Sequence, residues 1–324
     1  MSSQSIWGSD RTLAQQAKPF LRWAGGKQRW LTANSYQLPS FNGQYYEPFL
    51  GGGSVFFHLV RNEVRPFQAW LGDNNLQLVR AYNEIRNDPE VVIDSINSLM
   101  AAYREAHDKR RFYEVIRSNF NDALPKSNTA FFIFLNATCW NGLWRTNQKG
   151  RFNVPFANPK SDDFMPSQEQ IVAVSSALRN ARIRASSWEN LVNAAGSGDF
   201  VFLDPPYYSD SLQKGSPKYG SESFGYEEHA RLARTLLSLQ SRGVSFVLTN
   251  SNEPEMLALY RGLNLTVKEV MVPRAINSKV DERQAVGELI VSNSLQDYQD
   301  HASPGVLLDL EILRKTRQGN QDPR

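Results

Sequence analysis

Short apolar runs, each followed by a stretch with helical spacing, recur along this chain. Runs of that length read as buried strands, and the periodic stretches as amphipathic helices. "GQYYEPFLGGGSVFFHLV" gives a strand, a glycine-rich turn and a helix, and "FQAWLGDNNLQLVRAYNEIRN" gives a strand, an acidic turn and a helix. Two strand–helix units in succession predict a parallel sheet. From about residue 88 to 134 the pattern turns helical and charged, with no strand signal. That stretch reads as an insertion. "NGLWRTNQKGRFNVPFANP" then predicts a β-hairpin turning at Gln148, Lys149 and Gly150. Strand–helix units resume with "IVAVSSALRNARI", the strand "FVFL", the helix "YEEHARLARTLLSLQ" and the strand "VSFVLTN". Residues 209–225, rich in Ser, Gly and Lys, read as a mobile loop.

The expected organisation is a discontinuous α/β core, residues 18–87 and 165–300, interrupted by a helix-and-hairpin insertion at 88–164. Residues 1–17 and 301–324 read as flexible tails. No internal repeat is visible. The core is the candidate for chemistry and the insertion the candidate for reading a partner.

Composition narrows the class. Of 324 residues 41% are hydrophobic, enough for a proper core, and the net charge is only +3. Any acidic partner is therefore met by a local basic patch rather than by a global field. The single cysteine, Cys139, excludes a disulfide framework and a cysteine-based zinc site. Four scattered histidines offer no metal spacing. The N-terminus has no signal-peptide pattern and no apolar run spans a bilayer. These features predict a cytoplasmic protein with neither metal nor membrane partner.

"EPFLGGGSVF" lies at a strand-to-helix turn, where glycines let a ligand approach the backbone and the helix offers free N–H groups. A dinucleotide fingerprint fails because Phe56 stands at its third glycine position. A P-loop fails because the lysine is missing, and in "AGGKQ" Gln28 replaces Ser or Thr. An adenosyl ligand without a pyrophosphate fits better. Glu47 precedes the turn, and Asp73 lies where a carboxylate grips ribose hydroxyls. The plain alternative is a tight strand–helix turn with no ligand.

"FVFLDPPYYS" is the other informative stretch. Two prolines force the chain out of the sheet directly after a strand. Asp204 and the Pro205 carbonyl could each accept one hydrogen bond from an exocyclic amino group, freeing its lone pair, while Tyr207 stacks on the base. Such a base must first leave the duplex. Taken singly, Asp204 could instead cap the next turn, and Tyr207 could be core packing.

In order, "FLRWAGGK", "EPFLGGGSVF", "GDNN", "NGLWRTNQKGRFNVPF", "DPPY" and "AINSKVDERQAVGELIVSN" resemble the motifs of the Dam-type, D12 class DNA adenine-N6 methyltransferases. The resemblance runs from about Phe20 to Asn293. It implies S-adenosyl-L-methionine as cofactor, adenine N6 of double-stranded DNA as acceptor, and a Rossmann-like methyltransferase sheet with an antiparallel strand near its end. By matching positions, Trp23, Lys27, Glu47, Pro48, Gly51 and Gly53 would bind the cofactor with Asp73 and Asp204. Asp204, Pro205, Pro206 and Tyr207 would form the catalytic turn. Trp140, Asn141, Leu143, Arg145, Asn147, Lys149 and Pro155 would meet DNA, Trp140 standing where the family commonly has tyrosine. Arg145 is the expected guanine reader, with Lys149 and Arg151 on phosphates. The implied enzyme works as a monomer on the bacterial nucleoid, at GATC by the similarity of its hairpin. Two other readings stand beside it. One is a methyltransferase of the same fold acting on cytosine N4 or RNA adenine. The other is a catalytically silent DNA-binding module.

Overall fold

The computed structural model describes residues 11–35, 38–63, 67–123, 128–208, 224–263, 265–272 and 286–293. Most of the expected loop at 209–225, the expected C-terminal tail and most of the "AINSKVDERQAVGELIVSN" segment lie outside the described residues. The strands are β1 (Tyr45–Glu47), β2 (Ala69–Gly72), β3 (Ala181–Arg184), β4 (Phe200–Leu203), β5 (Ser245–Ser251), β6 (Thr266–Val272) and β7 (Val286–Ser292). They form one sheet in the order β3-β2-β1-β4-β5-β7-β6. All neighbours are parallel except that β7 runs antiparallel to both β5 and β6. The expected Rossmann-like methyltransferase fold with its reversed strand near one edge is therefore borne out.

Strand order reverses between β1 and β4. Such a switch point leaves a crevice outside the carboxyl ends of the strands. The register Tyr45↔Phe200 and Tyr46↔Val201 aligns the two strands there, so Glu47 and Asp204 emerge on the same edge. Every residue of β4 is buried, as a strand covered on both faces requires. The edge strand β3 alternates buried and exposed positions.

The helices are α1 (Gln28–Asn34), α2 (Ser54–Asn62), α3 (Leu76–Asn87), α4 (Pro89–Glu105), α5 (Lys109–Asp122), α6 (Thr129–Thr138), α7 (Gln168–Leu178), α8 (Trp188–Val192), α9 (Tyr226–Ser241) and α10 (Pro254–Arg261). Side-chain caps from Asn75, Asp108, Asn128 and Ser167 fix the starts of α3, α5, α6 and α7. Only Asp88 separates α3 from α4, where Pro89 occupies the first helical turn. α6, "TAFFIFLNAT", is buried at every position but one. It forms the centre of the inserted segment, packing on α4 and α5 and also on α3 of the core.

Two expectations change. The N-terminal stretch is not loose as far as residue 17. Residues 11–14 are helical, Arg11 donates to the Glu63 carbonyl at 2.9 Å, and Ala17 is buried. The hairpin is an irregular ribbon with single antiparallel bridges at Cys139–Phe156 and Thr146–Phe152. Left-handed Asn141 and Gly142, with Pro155 lacking an N–H, interrupt the ladder between those bridges. Side chains of α5 hold it instead. Asn121 bonds both the N–H and the carbonyl of Phe152, and the Tyr113 hydroxyl donates to the Val154 carbonyl at 2.7 Å.

Gly53 caps α2 with φ 68°, and a β-carbon there would meet the Tyr82 hydroxyl oxygen at 2.9 Å. The left-handed conformation alone costs an alanine roughly 1–2 kcal/mol. Gly53→Ala should lose at least that much in a urea titration. Unchanged stability would mean that this turn has another conformation.

Candidate active site

At the crevice, the end of β4 delivers Asp204 and the turn after β1 delivers the glycines. Lys27, one residue before α1, is only 6% exposed. Its ammonium lies 2.8 Å from Asp204 Oδ1, donates to the Gly25 carbonyl at 3.1 Å, and sits 4.8 Å from the centre of the Tyr207 ring. The Thr249 hydroxyl, from β5, donates to the same Asp204 oxygen at 2.8 Å. Asp204 therefore does not cap its own turn; it is held from two other elements. Pro205 is buried and Pro206 exposed. The Tyr207 hydroxyl donates to Glu288 on β7 at 3.0 Å. Burial, with Asp204 and Glu288 nearby, raises the Tyr207 phenol well above its ordinary range, so it stays protonated as that donor.

The glycine turn is fastened by its acids. Asp73, directly after β2, accepts the Gly51 N–H at 3.0 Å and the Asn75 N–H at 2.8 Å on separate oxygens. Tyr82 donates to the Gly51 carbonyl at 3.1 Å. Trp23 lies so close to Gly51 that a β-carbon there would meet the indole at 2.9 Å. Pro48 lies beside Gly72 at the end of β2. Glu47 is buried and accepts the Tyr45 hydroxyl at 2.8 Å and the Phe56 N–H at 3.2 Å. Trp23, Lys27, Glu47, Pro48, Gly51, Gly53, Asp73 and Asp204 thus gather around one crevice. As a donor set they suit a ligand with a charged amino-acid end and a ribose diol.

The hairpin presents a different surface. Trp140 is 53% exposed, followed by Asn141 at φ 55°. The Trp140 N–H donates to the Pro155 carbonyl at 3.0 Å, joining the two ends of the ribbon. Arg145 is braced across the hairpin by Asn153, through Nε to Oδ1 at 2.8 Å and Nη2 to the carbonyl at 3.2 Å. Asn147 spends its side-chain oxygen on the turn, accepting the Lys149 and Arg151 N–H groups, while Lys149 itself is exposed. Arg151 pairs with Asp122 at 2.7 Å. Leu143 is half-buried.

Sequence reasoning missed the residues that hold these parts. Thr249 and Asn250 are polar residues closing an apolar strand, which was a readable signal. Glu288 and Asn136 gave none. Buried Asn136 accepts the Arg22 N–H at 2.9 Å and donates to the Arg22 carbonyl at 2.8 Å and the Gly142 carbonyl at 3.1 Å. Trp144 faces inward, stacked on Trp23 at 6.1 Å and packed against Phe132 at 4.8 Å. Among the described residues no group of His, Cys, Asp and Glu is arranged to hold a metal ion, and no helix is long and apolar enough to cross a membrane.

Comparison with known proteins agrees with this geometry. The family model for the D12 class N6 adenine-specific DNA methyltransferases matches residues 23–273. The type II methyltransferase M.MjaIII of Methanocaldococcus jannaschii is 34% identical over 295 residues, spanning 86% of this chain and 99% of its own. The type II methyltransferase M1.LlaDCHI of Lactococcus lactis subsp. cremoris is 32% identical, over 85% of this chain and 95% of its own. A DNA adenine methylase of Vibrio cholerae is 31% identical, over 85% of this chain and 96% of its own.

Burial, reinforced by Asp204 and Asp73, pushes the Glu47 carboxyl up to about 8, against the opposing bonds from Tyr45 and Phe56. The folded protein thus keeps a proton that the unfolded chain releases near 4.5. The stability Glu47 contributes is complete below that lower value and is lost as pH rises through the higher one. Glu47→Gln cannot ionise, so it should gain stability relative to the parent from about pH 5 to about pH 8 in urea titrations. A pH-independent difference would contradict this placement of the carboxyl.

Proposed function

The chain belongs to the D12 class of N6 adenine-specific DNA methyltransferases, and from that premise we propose how and where it acts. It methylates adenine N6 in double-stranded DNA with S-adenosyl-L-methionine as donor, after flipping the base, and its sequence is GATC. The observation that carries the catalytic reading is the convergence of Lys27 and Thr249 on Asp204 beside Tyr207, across the switch point from the glycine turn. GATC rests on the likeness of "NGLWRTNQKGRFNVPF" to the hairpins of members with that specificity.

Trp23, Lys27, Glu47, Pro48, Gly51 and Gly53 would hold the methionine end and Asp73 the ribose. Two of the three ammonium donors of Lys27 go to Gly25 and Asp204, which leaves one for the cofactor carboxylate. Asp73 accepts the Gly51 and Asn75 N–H groups on separate oxygens and is also acted on by the Asn74 N–H, and a remaining lone pair would accept a ribose hydroxyl. When bound, the cofactor supplies an electrophilic methyl group. The chain's own groups prepare the nucleophile. Asp204 and the Pro205 carbonyl each accept one N–H of the adenine amino group, and this draws its lone pair out of the ring. Tyr207, oriented through Glu288, stacks on the base. Pro206 stiffens the turn. Thr249 fixes the carboxylate's rotation so that its acceptor does not swing away.

On the DNA side, Trp140 and Asn141 lead the hairpin, Leu143 and Pro155 flank it, and Arg145 reads guanine. A side chain already braced by Asn153 loses less freedom on binding. Asn147 shapes the turn that carries Lys149, which meets a phosphate. The chain acts as a monomer on DNA in the cytoplasm. Expression in a host lacking adenine methylation, with modified adenines mapped, tests the whole reading. N6-methyladenine confined to GATC is expected; modification elsewhere overturns the specificity, and none at all overturns the activity.

Asp204→Ala should abolish methyl transfer while cofactor affinity stays within about tenfold, roughly 1.4 kcal/mol. It also strands a buried ammonium, so stability should fall by about 3–5 kcal/mol. Asp204→Asn keeps an acceptor and is the milder control. Near-normal turnover by the alanine variant would refute the mechanism.

Arg145→Ala should lose about 1–3 kcal/mol of discrimination at one base pair, relaxing the methylated sequence there. Lys149→Ala should instead weaken binding to all duplexes alike and lower the salt slope by about one. If Arg145→Ala lowers activity equally on cognate and single-substituted sites, Arg145 does not read a base.

A further inference from the structure

The backbone after the two prolines is held by groups that the methyl-transfer chemistry does not use. Asn250, buried near the end of β5, accepts the Tyr208 N–H at 3.3 Å and the Ser251 N–H at 2.8 Å on its side-chain oxygen. The Ser251 hydroxyl donates to the Tyr208 carbonyl at 2.7 Å. With that oxygen taken by two donors, the Asn250 amide presents its NH2 on its other side. There it meets His229 Nδ1 at 3.1 Å and the Tyr260 hydroxyl at 3.3 Å. A donor aimed at Nδ1 requires that nitrogen to carry no proton, so the proton of the neutral ring is on Nε2.

His229, on α9, is fully buried, and its ring packs edge-on against Phe224 at 4.7 Å and Tyr208 at 6.0 Å. Its Nε2 is buried with no hydrogen-bond partner among the described residues, and the Pro206 carbonyl acts on the ring. The ring thus touches the catalytic turn at two places, through Tyr208 and through Pro206. A phenylalanine would fill the same space. The two ring nitrogens are what a merely apolar packing role leaves unexplained.

We propose that His229, in its neutral Nε2–H form and fixed by Asn250, is a positioning residue for methyl transfer. It sets the backbone of residues 206–208 so that the Pro205 carbonyl and the Tyr207 ring stand where the adenine amino group meets them. This role rests on the catalytic reading given above. The charges around the ring agree with it. Burial lowers the imidazole to about 4, against the pull of the Pro206 carbonyl and the Glu228 carboxylate. Among the described residues, the other titratable groups in the surrounding shell are the phenols of Tyr208 and Tyr260. An imidazolium would turn Nδ1 into a donor facing the Asn250 NH2, and the clamp would open.

Nitrogen NMR of the full chain with labelled histidine tests the clamp without any substitution at work in it. One neutral histidine with its proton on Nε2 should persist across roughly pH 5 to 8, where an ordinary histidine titrates. Its signal should vanish in His229→Gln, which assigns it. Single-turnover methylation of duplex DNA tests the role. His229→Phe should slow the chemical step about tenfold or more, while affinities for duplex DNA and S-adenosylhomocysteine stay within about twofold. His229→Gln, which can present a donor near Pro206, should recover most of the rate. A parent spectrum in which no histidine stays neutral with its proton on Nε2 across that range overturns the clamp, even if both variants fail to fold. A folded His229→Phe with the parent's rate, or one that loses binding in step with rate, overturns the positioning role. Failure of the parent itself to methylate DNA sinks the catalytic reading and leaves the NMR result to stand by itself.

Discussion

Two prolines deprive the turn after β4 of N–H groups, and much of the site follows from that. Pro205 and Pro206 cannot donate to a neighbouring strand or close a local turn, so the loop cannot hold itself in place. Three consecutive residues at the end of β5 do it instead. Thr249 holds the Asp204 carboxylate, Asn250 the Tyr208 N–H and Ser251 the Tyr208 carbonyl. β5 can serve because it lies parallel beside β4 and extends past it. Its own edge is closed by antiparallel β7, which contributes Glu288 to hold Tyr207. The proline-stiffened turn is thus fixed at the carboxylate, the backbone and the ring, each from a different atom of the adjoining strands.

Charge is arranged as tightly as the backbone. Within the crevice one ammonium, Lys27, faces Asp204 and acts on Glu288, while Glu47 and Asp73 stand behind the glycine turn. Two charges this close in a poorly solvated place need each other, because stranding either costs more than the pair contributes. Glu47 has no such cation. It solves the same problem by keeping its proton, while the Glu288 carboxyl is raised chiefly by burial and lowered again by Lys27 and by its bond from Tyr207. The site therefore offers a carboxylate at Asp204 without crowding several full negative charges into one pocket.

The sheet, the glycine turn and the proline turn were legible because each has a local signature. Apolar runs, glycines at a strand end and a pair of prolines all announce themselves within a few residues. The inserted helices were legible by their helical, charged pattern. What stayed hidden was long-range: the pairing of Lys27 with Asp204, the grip of Thr249, and the bonds of Asn136 to Arg22. No spacing rule links residues so far apart in sequence, and buried polar groups find partners only when the chain has folded. Residues 11–17 misled for a related reason. Their polarity suggests solvent, yet the Arg11 bond to Glu63 and the burial of Ala17 tie them to the end of α2. The hairpin was right in its turn but wrong in regularity, since Asn141, Gly142 and Pro155 break the ladder that a regular hairpin has.

The seam between the two halves of the site is narrow. Asn136 uses three of its hydrogen-bonding positions on two segments, both edges of Arg22 and the carbonyl of Gly142. Gly142 permits this by its φ of 62°, since a β-carbon there would come within 2.6 Å of the Arg22 side chain. One residue after Arg22, Trp23 stacks on Trp144, which lies two positions after Gly142. Trp23 also lies against Gly51, and Trp144 packs against Phe152 on the returning strand of the hairpin at 4.8 Å. A shift of the glycine turn therefore presses on an indole that presses on the hairpin's own core. The segment of the glycine turn and the hairpin cannot move independently, because one buried amide and one aromatic stack belong to both.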